Sequence, residues 1–372
     1  MRTFRYYSEA VRCRMLNALM LHKSIRSNRN IVVFESDDWG SIRVPSLEVL
    51  ETLKSKGVSN IGNISYNNVD TLASNDDLEI LMDVLSSVKD KKGNPAKITL
   101  DCIVANPDFD KIRESGFSEY HYEPFIETLK RYPNHDRAFS LWKDGIKNKL
   151  FMPQFHGREH LNFQRWMRLL QSGNRDVMAC FDTYNYAMLD KATEVFEAYD
   201  ARTEDEFDGM LHSVREGLDL FEKIFGFRSV SMIAPCYTWD DCIEYVAFES
   251  GVKYIQGSFI QNYSSYQKSK GKSRQGHFLG ERNCNGQIYL TRNCLFEPSQ
   301  DKRWNADNCL NRIDKLFKMG LPAIVSCHRL NFIGGLSEKN RDDNLKDFEY
   351  LLKTLVGKYP DVEFMSSDEI FD

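Results

Sequence analysis

Short apolar runs alternate along the chain with longer stretches whose apolar residues recur at helical spacing. Each of eight apolar runs is short enough for a buried strand, and they lie at IVVFES (31–36), KITLDCIVA (97–105), FMPQFH (151–156), VSMIAP (230–235), YIQGS (254–258), QIYLTRN (287–293), AIVSCH (323–328) and VEFMS (362–366). Several of the helical stretches end in Gly or just before Pro, which are common helix stop signals. This alternation predicts an α/β fold in which helices wrap parallel strands, either as a barrel or as a doubly wound sheet.

Two segments break the alternation and predict insertions over one face of the fold, near 106–150 and near 259–286. We expect residues 30–372 to form one large domain, preceded by a basic helical segment at 1–29. That segment carries seven Lys or Arg residues against one Glu. It is interpreted either as a helix packed on the domain or as a peripheral contact with an anionic membrane.

Composition and charge narrow the classes of protein to consider. A formal net charge of −5 provides no basic field for nucleic acid, so nucleic-acid binding is not expected. The nine cysteines are scattered without a CxxC pair, which is typical of reduced thiols in a reducing compartment. The N-terminal apolar run MLNALML is too short to span a bilayer, and we expect a cytoplasmic protein without a transmembrane segment.

Polar residues with catalytic potential follow four of the eight predicted strands. Asp37 and Asp38 end the first strand, HGREH (156–160) follows the third, a Pro235 turn follows the fourth, and His328 ends the seventh. The carboxyl ends of parallel strands meet at one face of such folds. We therefore expect these residues to converge on one site.

The HGREH and Asp-Asp motifs together predict a metal site. Histidines four apart on a helix project from one face, so His156 and His160 can share one metal ion. A hydrolytic metal site commonly has three protein ligands, and a carboxylate of the Asp pair can supply the third. We assign Asp38 as the ligand and Asp37 as the general base, and we expect one divalent metal, zinc, with Co²⁺, Ni²⁺ or Mn²⁺ as alternatives. Taken alone, the Asp pair would be interpreted as a helix N-cap.

In their order along residues 30–372, the motifs SDDWG, HGREH, APCYTW and SCH resemble those of the polysaccharide deacetylases of the NodB-homology type (carbohydrate esterase family four-like), with this chain as a divergent member. The resemblance implies a distorted (β/α) barrel with helical insertions. It also implies an enzyme that uses a metal ion to remove an N-acetyl or O-acetyl group from a carbohydrate. An N-acetylated sugar or glycan would be its substrate.

The resemblance also assigns roles at the site. It implies a metal held by Asp38, His156 and His160, with Asp37 as the base. His328 would be the acid that protonates the leaving amine, and a backbone amide near Tyr237 would help to hold the oxyanion.

The sequence departs from the family pattern at two motifs. Ala234 stands where the third motif usually has an arginine, and the family's acid-and-tryptophan motif is not recognisable near YLTRNCLFEP (289–298). Arg292 or Arg329 are candidates to replace the missing charge and to contact the substrate. Trp39, Tyr237 and Trp239 are candidates for a sugar-stacking wall, with packing at the barrel rim as the alternative.

Two other functions fit parts of the pattern. HGREH also matches the inverted zinc-peptidase signature H-x-x-E-H, in which Glu159 would be the base, although this leaves Asp37 and Asp38 without a task. The second of these functions is a degenerate carbohydrate-binding protein that has lost catalytic turnover. It stays open because the motif arginine is absent. Glu159→Gln separates the peptidase from the deacetylase, and release of acetate excludes the degenerate protein.

Overall fold

A sheet of parallel strands forms the centre of the molecule. The computed structural model describes residues 15–190 and 193–371. Its strands are β1 (Ile31–Trp39), β2 (Ile98–Ile103), β3 (Ala105–Pro107), β4 (Tyr122–Pro124), β5 (Phe151–Gly157), β6 (Ser231–Ile233), β7 (Tyr254–Gly257), β8 (Ile260–Asn262), β9 (Arg274–Gly276), β10 (Ile288–Thr291), β11 (Cys294–Leu295), β12 (Ala323–His328) and β13 (Glu363–Met365). The main sheet has the order β10-β7-β6-β5-β2-β1-β12-β11, with β13 beside β1, and its strands pair in parallel. The predicted α/β fold with parallel strands is confirmed.

One continuous segment brings the two edges of this sheet together. β10 pairs with β7 at one edge and β11 pairs with β12 at the other, and only Arg292 and Asn293 separate these two strands. The Arg292 N–H donates to the Gly257 carbonyl (2.8 Å), and the Asn293 N–H donates to the Ile324 carbonyl (3.0 Å). The sheet therefore curls into the distorted barrel that the resemblance implied.

Helices cover the outside of the barrel. They are α1 (Leu47–Ser55), α2 (Ser65–Val69), α3 (Asn75–Ser87), α4 (Phe109–Glu114), α5 (Phe125–Leu129), α6 (Ala138–Lys147), α7 (Phe163–Gln171), α8 (Arg175–Phe181), α9 (Glu206–Phe225), α10 (Asp241–Glu249), α11 (Ser265–Ser269), α12 (Ala306–Lys318) and α13 (Glu338–Lys358). All nine residues of β1 are buried, as expected for a parallel strand with side chains packed on both faces. The main apolar core lies between these helices and the strands.

The two predicted insertions differ in how they relate to the barrel. The segment 106–150 contains the β3–β4 ladder, but it also contains α6, which packs against β5 as an ordinary crossover helix. The segment 259–286 contains the β8–β9 hairpin and α11. A further irregular stretch follows α8 and reaches the site through Met188 and Phe196. The apolar pattern gave no sign of that stretch.

Only part of the basic N-terminal segment lies among the described residues. Residues 15–23 are helical, and Met20 and Leu21 are buried against the rest of the chain. Residues 1–14, on which the predicted membrane contact also depends, lie outside the described part. Among the described residues, no helix has the length and apolarity required to cross a membrane.

Candidate active site

The end of β1 places two adjacent carboxylates at the carboxyl face of the barrel. Successive residues of a regular strand point to opposite faces, so adjacent side chains can share a site only where the strand is distorted. The pairing of β1 with β2 shifts register between Ser36 and Trp39, and Asp38 adopts a left-handed backbone (φ 75°). This distortion allows Asp37 and Asp38 to line the same pocket.

The two histidines come from a strand end and a turn. His156 is the penultimate residue of β5, and His160 lies in the loop that precedes α7. Gly157 between them has φ +133°, a conformation that side-chain-bearing residues rarely adopt. The expectation that HGREH lies on a helix is therefore wrong, because the segment is the end of β5 followed by an irregular bend. The two rings still lie 5.1 Å apart between centroids.

Asp38, His156 and His160 form a buried cluster that could bind a metal ion. Oδ1 of Asp38 lies 3.6 Å from Nε2 of His156 and 3.5 Å from Nε2 of His160. Three ligand atoms that surround one zinc ion at tetrahedral angles lie roughly 3.4 Å apart. The separations therefore match the predicted ligand set of two nitrogens and one oxygen.

The protonation of these groups also suits a metal. Nδ1 of His156 donates to the Ile233 carbonyl (3.0 Å), which leaves the lone pair of Nε2 for a ligand. Burial, reinforced by the Arg43 charge, lowers the pKa of His160 well below its usual range, so its ring is neutral. Burial disfavours the Asp38 anion, but Arg43 and the histidines outweigh this effect and hold the pKa of Asp38 well below its usual range. One carboxylate and two imidazoles are an ordinary donor set for zinc.

Arg292 holds Asp37 from the point where the barrel closes. Its guanidinium donates to both oxygens of Asp37 (2.5 and 2.7 Å), to Glu35 (2.7 Å) and to Asp101 (3.1 Å). Burial alone would raise the pKa of Asp37, but the charge and hydrogen bonds of Arg292 lower it to about 2. Burial and the nearby Asp37 anion raise the pKa of Asp101 well above its usual range, so that carboxyl group is neutral. Asp37 is thus an anion in a fixed orientation.

His328 pairs with a carboxylate that the sequence analysis did not single out. Its Nδ1 lies 2.5 Å from Oε2 of Glu297, and its Nε2 lies 3.6 Å from Oδ2 of Asp37. Burial lowers the pKa of His328, but Glu297 and the two aspartates outweigh this effect and raise it to about 9. The ring is therefore protonated at neutral pH, and its Nε2 side faces the pocket.

Arg43 and Arg329 share one buried carboxylate beside the metal cluster. Arg43 donates to Oδ1 of Asp38 (3.2 Å) and pairs with Asp70 (3.3 Å), while Arg329 pairs with the other oxygen of Asp70 (2.9 Å). Arg329 has no exposed surface and does not line the site pocket. The prediction that Arg329 contacts the substrate is wrong, because its side chain supports the cluster from inside the core.

These groups surround a pocket of about 300 Å³ at the carboxyl end of the barrel. Its walls come from several strand ends and loops, and are formed by Asp37, Asp38, Arg43, Tyr66, His156, His160, Met188, Ala234, Cys236, Tyr237, Leu295, Glu297, Gln300, Trp304, Ser326 and His328. The convergence of strand-end residues that the sequence predicted is therefore observed.

Other predicted substrate contacts lie in the core. Trp39 is 1% exposed, and its indole N–H donates to Ser36; Trp239 is 2% exposed and donates to Glu244. Neither indole lines the pocket, so Tyr237 is the one member of the predicted sugar-stacking wall that does. Arg292 is also buried, and its donors are used by carboxylates rather than offered to a substrate.

Tyr237 lines the pocket, but its own backbone amide is not free to hold an oxyanion. Its backbone N–H donates to the Ala234 carbonyl (3.0 Å) within a turn in which Cys236 and Tyr237 both have left-handed backbones. The amide is therefore used inside the turn. The Tyr237 hydroxyl instead accepts a hydrogen bond from Arg292 (3.1 Å).

The peptidase interpretation of HGREH does not fit the geometry. It requires a helix with Glu159 facing the metal, but the segment is a strand end followed by a bend, and Oε1 of Glu159 accepts from Arg158 (2.7 Å). Glu159 is 2% exposed and is not among the pocket residues. Glu159 is therefore not placed to act as a general base in this pocket.

Glu297 and Arg43 are the main site residues that the sequence analysis missed. Glu297 lies in YLTRNCLFEP, within two residues of the end of β11, so the rule that directs attention to strand ends would have found it had this short strand been recognised. Arg43 lies five residues after Asp38, and nothing in its sequence context distinguishes it from a surface arginine.

No protein-family model matches the sequence, and a search of curated protein sequences found no match. Solved structures with a similar chain path include a putative polysaccharide deacetylase from Mycobacterium smegmatis (12% identity, 93% of this chain and 91% of that chain, TM-score 0.43) and a probable polysaccharide deacetylase from Pseudomonas aeruginosa PAO1 (10%, 92% and 90%, 0.46). A 4-alpha-glucanotransferase from Thermococcus litoralis (10% identity, TM-score 0.46) aligns over 92% of this chain, which spans 40% of that enzyme. TM-scores below 0.5 leave the activity of this chain to be argued from its own site.

Proposed function

We propose that this protein is a metal-dependent hydrolase that removes an acetyl group from an N-acetylated sugar. The observation that carries the proposal is one pocket in which three kinds of group meet. These are the Asp38/His156/His160 cluster, the Asp37 carboxylate held by Arg292 and the His328 ring paired with Glu297. Amide hydrolysis requires each of them: an electrophile, a base for water and an acid for the departing amine.

Asp38, His156 and His160 would hold the metal, and zinc fits their donor types. A divalent ion held there would supply Lewis-acid stabilisation of negative charge and would make water more acidic, which a base as weak as Asp37 requires.

Asp37 and His328 divide the proton transfers between them. Asp37 is ionised throughout the neutral range and is oriented through both of its oxygens by Arg292, so it can accept a proton from water without reorientation. His328 carries a proton and presents Nε2 at 3.6 Å from Asp37, within the space in which the scissile bond would lie. Glu297 fixes the other ring nitrogen and thereby orients the acid.

Arg292 bears on the alternative of a degenerate binding protein. That alternative rested on Ala234, which stands where an arginine is expected beside the base. Arg292 reaches Asp37 from the β10–β11 segment instead, so a guanidinium contacts the base although it comes from another part of the sequence. This contact supports a protein with turnover.

The test is acetate release from N-acetylated hexosamines by the zinc-loaded protein. We expect Asp37→Asn to retain zinc, measured by elemental analysis, and to lose about 10²- to 10⁴-fold in rate, the usual contribution of a general base. Glu159→Gln should keep the rate. Zinc binding without acetate release in the parent protein would favour the degenerate alternative, and a rate lost in Glu159→Gln but kept in Asp37→Asn would contradict the proposed function.

A further inference from the structure

Loops from separate parts of the chain are hydrogen-bonded to one another over the candidate active site. The Asn67 side chain on α2 pairs with the backbone of Met188, donating to its carbonyl (2.6 Å) and accepting from its N–H (3.0 Å). The neighbouring Tyr66 accepts a hydrogen bond from Gln300 (2.7 Å). We call Tyr66, Asn67, Met188 and Gln300 the collar; three of the four line the pocket, and Asn67 ties α2 to Met188.

The collar is fixed to the body of the barrel on the side that carries the acid. Asn331, just after β12, donates to Glu297 (2.6 Å) and accepts from the Ser299 N–H (3.1 Å). The Ser299 hydroxyl also contacts Asn340 at the start of α13 (3.0 Å). The loop that presents Gln300 is therefore held by the same elements that hold the His328–Glu297 pair.

The collar narrows the space above the reacting groups. The Tyr66 ring meets the His328 ring edge to face at 5.5 Å between centroids, and Met188 lines the same pocket as the histidine cluster. The pocket of about 300 Å³ is at the small end of the roughly 300–1,000 Å³ typical of small-molecule sites. An internal unit of a polymer would need a cleft that continues on both sides of the reacting sugar.

The collar also supplies groups that can recognise a sugar. The Tyr66 hydroxyl accepts from Gln300, so its own proton remains to be donated to a sugar hydroxyl. Trp304 is 37% exposed at the edge of the pocket, where its ring offers an apolar face outside the reacting unit. These contacts suit one sugar in the pocket and its substituent at the rim.

We propose that the collar makes this protein specific for a single or chain-terminal N-acetylated sugar unit and excludes the internal units of a polymer. The inference rests on the proposed acetyl-hydrolase function. Tyr66 and Gln300 are the residues that determine this specificity, because the hydrogen bond between them joins α2 to the loop after β11.

The experiment compares substrates of increasing length. The zinc-loaded protein is given methyl glycosides of N-acetylglucosamine, N-acetylgalactosamine and N-acetylmannosamine, and β-1,4-linked N-acetylglucosamine tetramer and pentamer. Acetate is quantified, and mass spectrometry locates the deacetylated unit. We expect release from a monomer, release only from an end unit of the oligomers, and kcat/KM that does not rise with length.

The double variant Tyr66→Ala/Gln300→Ala should keep its zinc and gain measurable release from internal units, by tenfold or more over the parent protein. Tyr350→Ala, which removes a half-exposed tyrosine on α13, is the matched control and should leave the pattern unchanged. Internal deacetylation by the parent protein, or kcat/KM rising tenfold from monomer to pentamer, would overturn the inference while leaving the proposed function standing. Acetate release from none of these substrates would instead contradict the proposed function and this inference with it.

Discussion

At the residue scale, Arg292 is a buried cation in contact with three buried carboxyl groups. Glu35, Asp37 and Asp101 each lie within 3.1 Å of its guanidinium, and all four side chains are almost fully buried. Removing one partner of a buried ion pair leaves an uncompensated charge, which typically costs about 3–5 kcal/mol. Arg292 therefore stabilises the fold in addition to orienting the base.

We predict that Arg292→Gln lowers the free energy of unfolding by about 3–5 kcal/mol, measured by urea denaturation. Adding Glu35→Gln to that variant should recover part of the loss, because it removes one of the carboxylates left without a cation. An Arg292→Gln protein as stable as the parent would show that the cluster carries no uncompensated charge.

The pairing of Glu297 with His328 predicts a pH dependence. The His328 ring lies beside two carboxylates, Glu297 and Asp37, and beside the neutral Tyr66 ring. The carboxylates raise the pKa of His328 to about 9. A general acid must be protonated, so the rate should fall as pH rises through this pKa.

In Glu297→Gln the main anionic partner is absent, so we expect the alkaline limb of the kcat/KM profile to move to lower pH than in the parent protein at the same zinc concentration. The conservative Glu297→Asp should lie between the two. An alkaline limb that does not move in Glu297→Gln would mean that another group sets it.

At the scale of elements, the turn at Gly157 positions both histidine ligands. A Cβ at this position would lie 3.1 Å from the Glu159 carbonyl and 3.3 Å from the Tyr199 hydroxyl, on a backbone with φ +133°. We predict that Gly157→Ala lowers stability by about 1–3 kcal/mol and weakens zinc binding at least tenfold, measured by calorimetry.

Gly173→Ala is the matched control for that variant. Gly173 also has a positive φ (+67°), but no atom lies within 4 Å of the added Cβ. It should cost about 1 kcal/mol through backbone conformation alone and leave zinc affinity unchanged. Equal zinc affinity in both variants would show that the turn does not set the ligand geometry.

Strands and helices with long apolar patterns could be predicted from the sequence, whereas turns and short ladders could not. The strand segments around Phe34, Phe155 and Val325 are buried on both faces, which favours apolar residues on both, so the sequence alone reveals them. All eight predicted strands are present. The β3–β4 and β8–β9 ladders have three residues per strand, and their pairing depends on contacts between distant segments.

The candidate site divides in the same way. Asp38, His156, His160, Asp37 and His328 converge because each lies at or just after the carboxyl end of a strand, which the sequence reveals. Trp39 ends β1 and Trp239 comes after β6, but their indoles are buried in the core, where Ser36 and Glu244 accept their N–H groups. The direction of a side chain at an irregular strand end depends on local backbone distortion. The periodicity of apolar residues in the sequence does not predict such a distortion.

At the scale of the whole molecule, the metal cluster joins parts of the barrel that are not neighbours. Asp38 is on β1 and His156 is on β5, and β2 lies between these strands in the sheet. An ion that binds all three ligands therefore acts as a crosslink across the carboxyl end of the barrel. Because these ligands do not converge in an unfolded chain, metal binding favours the folded state.

We predict that removing the metal lowers the melting temperature without unfolding the protein at 25 °C. A ligand that binds only the folded state stabilises it by about 2.7 kcal/mol when its free concentration is 100 times Kd. Since Arg43 still neutralises Asp38 without a metal, and the apolar core does not involve the ligands, the metal-free protein should unfold cooperatively at a lower temperature. Thermal denaturation in excess zinc and in excess chelator measures the difference.

The His156→Ala/His160→Ala variant is the control and should melt at the same temperature in both conditions, because it lacks two of the three ligands. The assignment of the metal to Asp38, His156 and His160 would be contradicted if the chelator did not change the melting temperature of the parent protein. It would also be contradicted if the double variant responded to zinc as strongly as the parent.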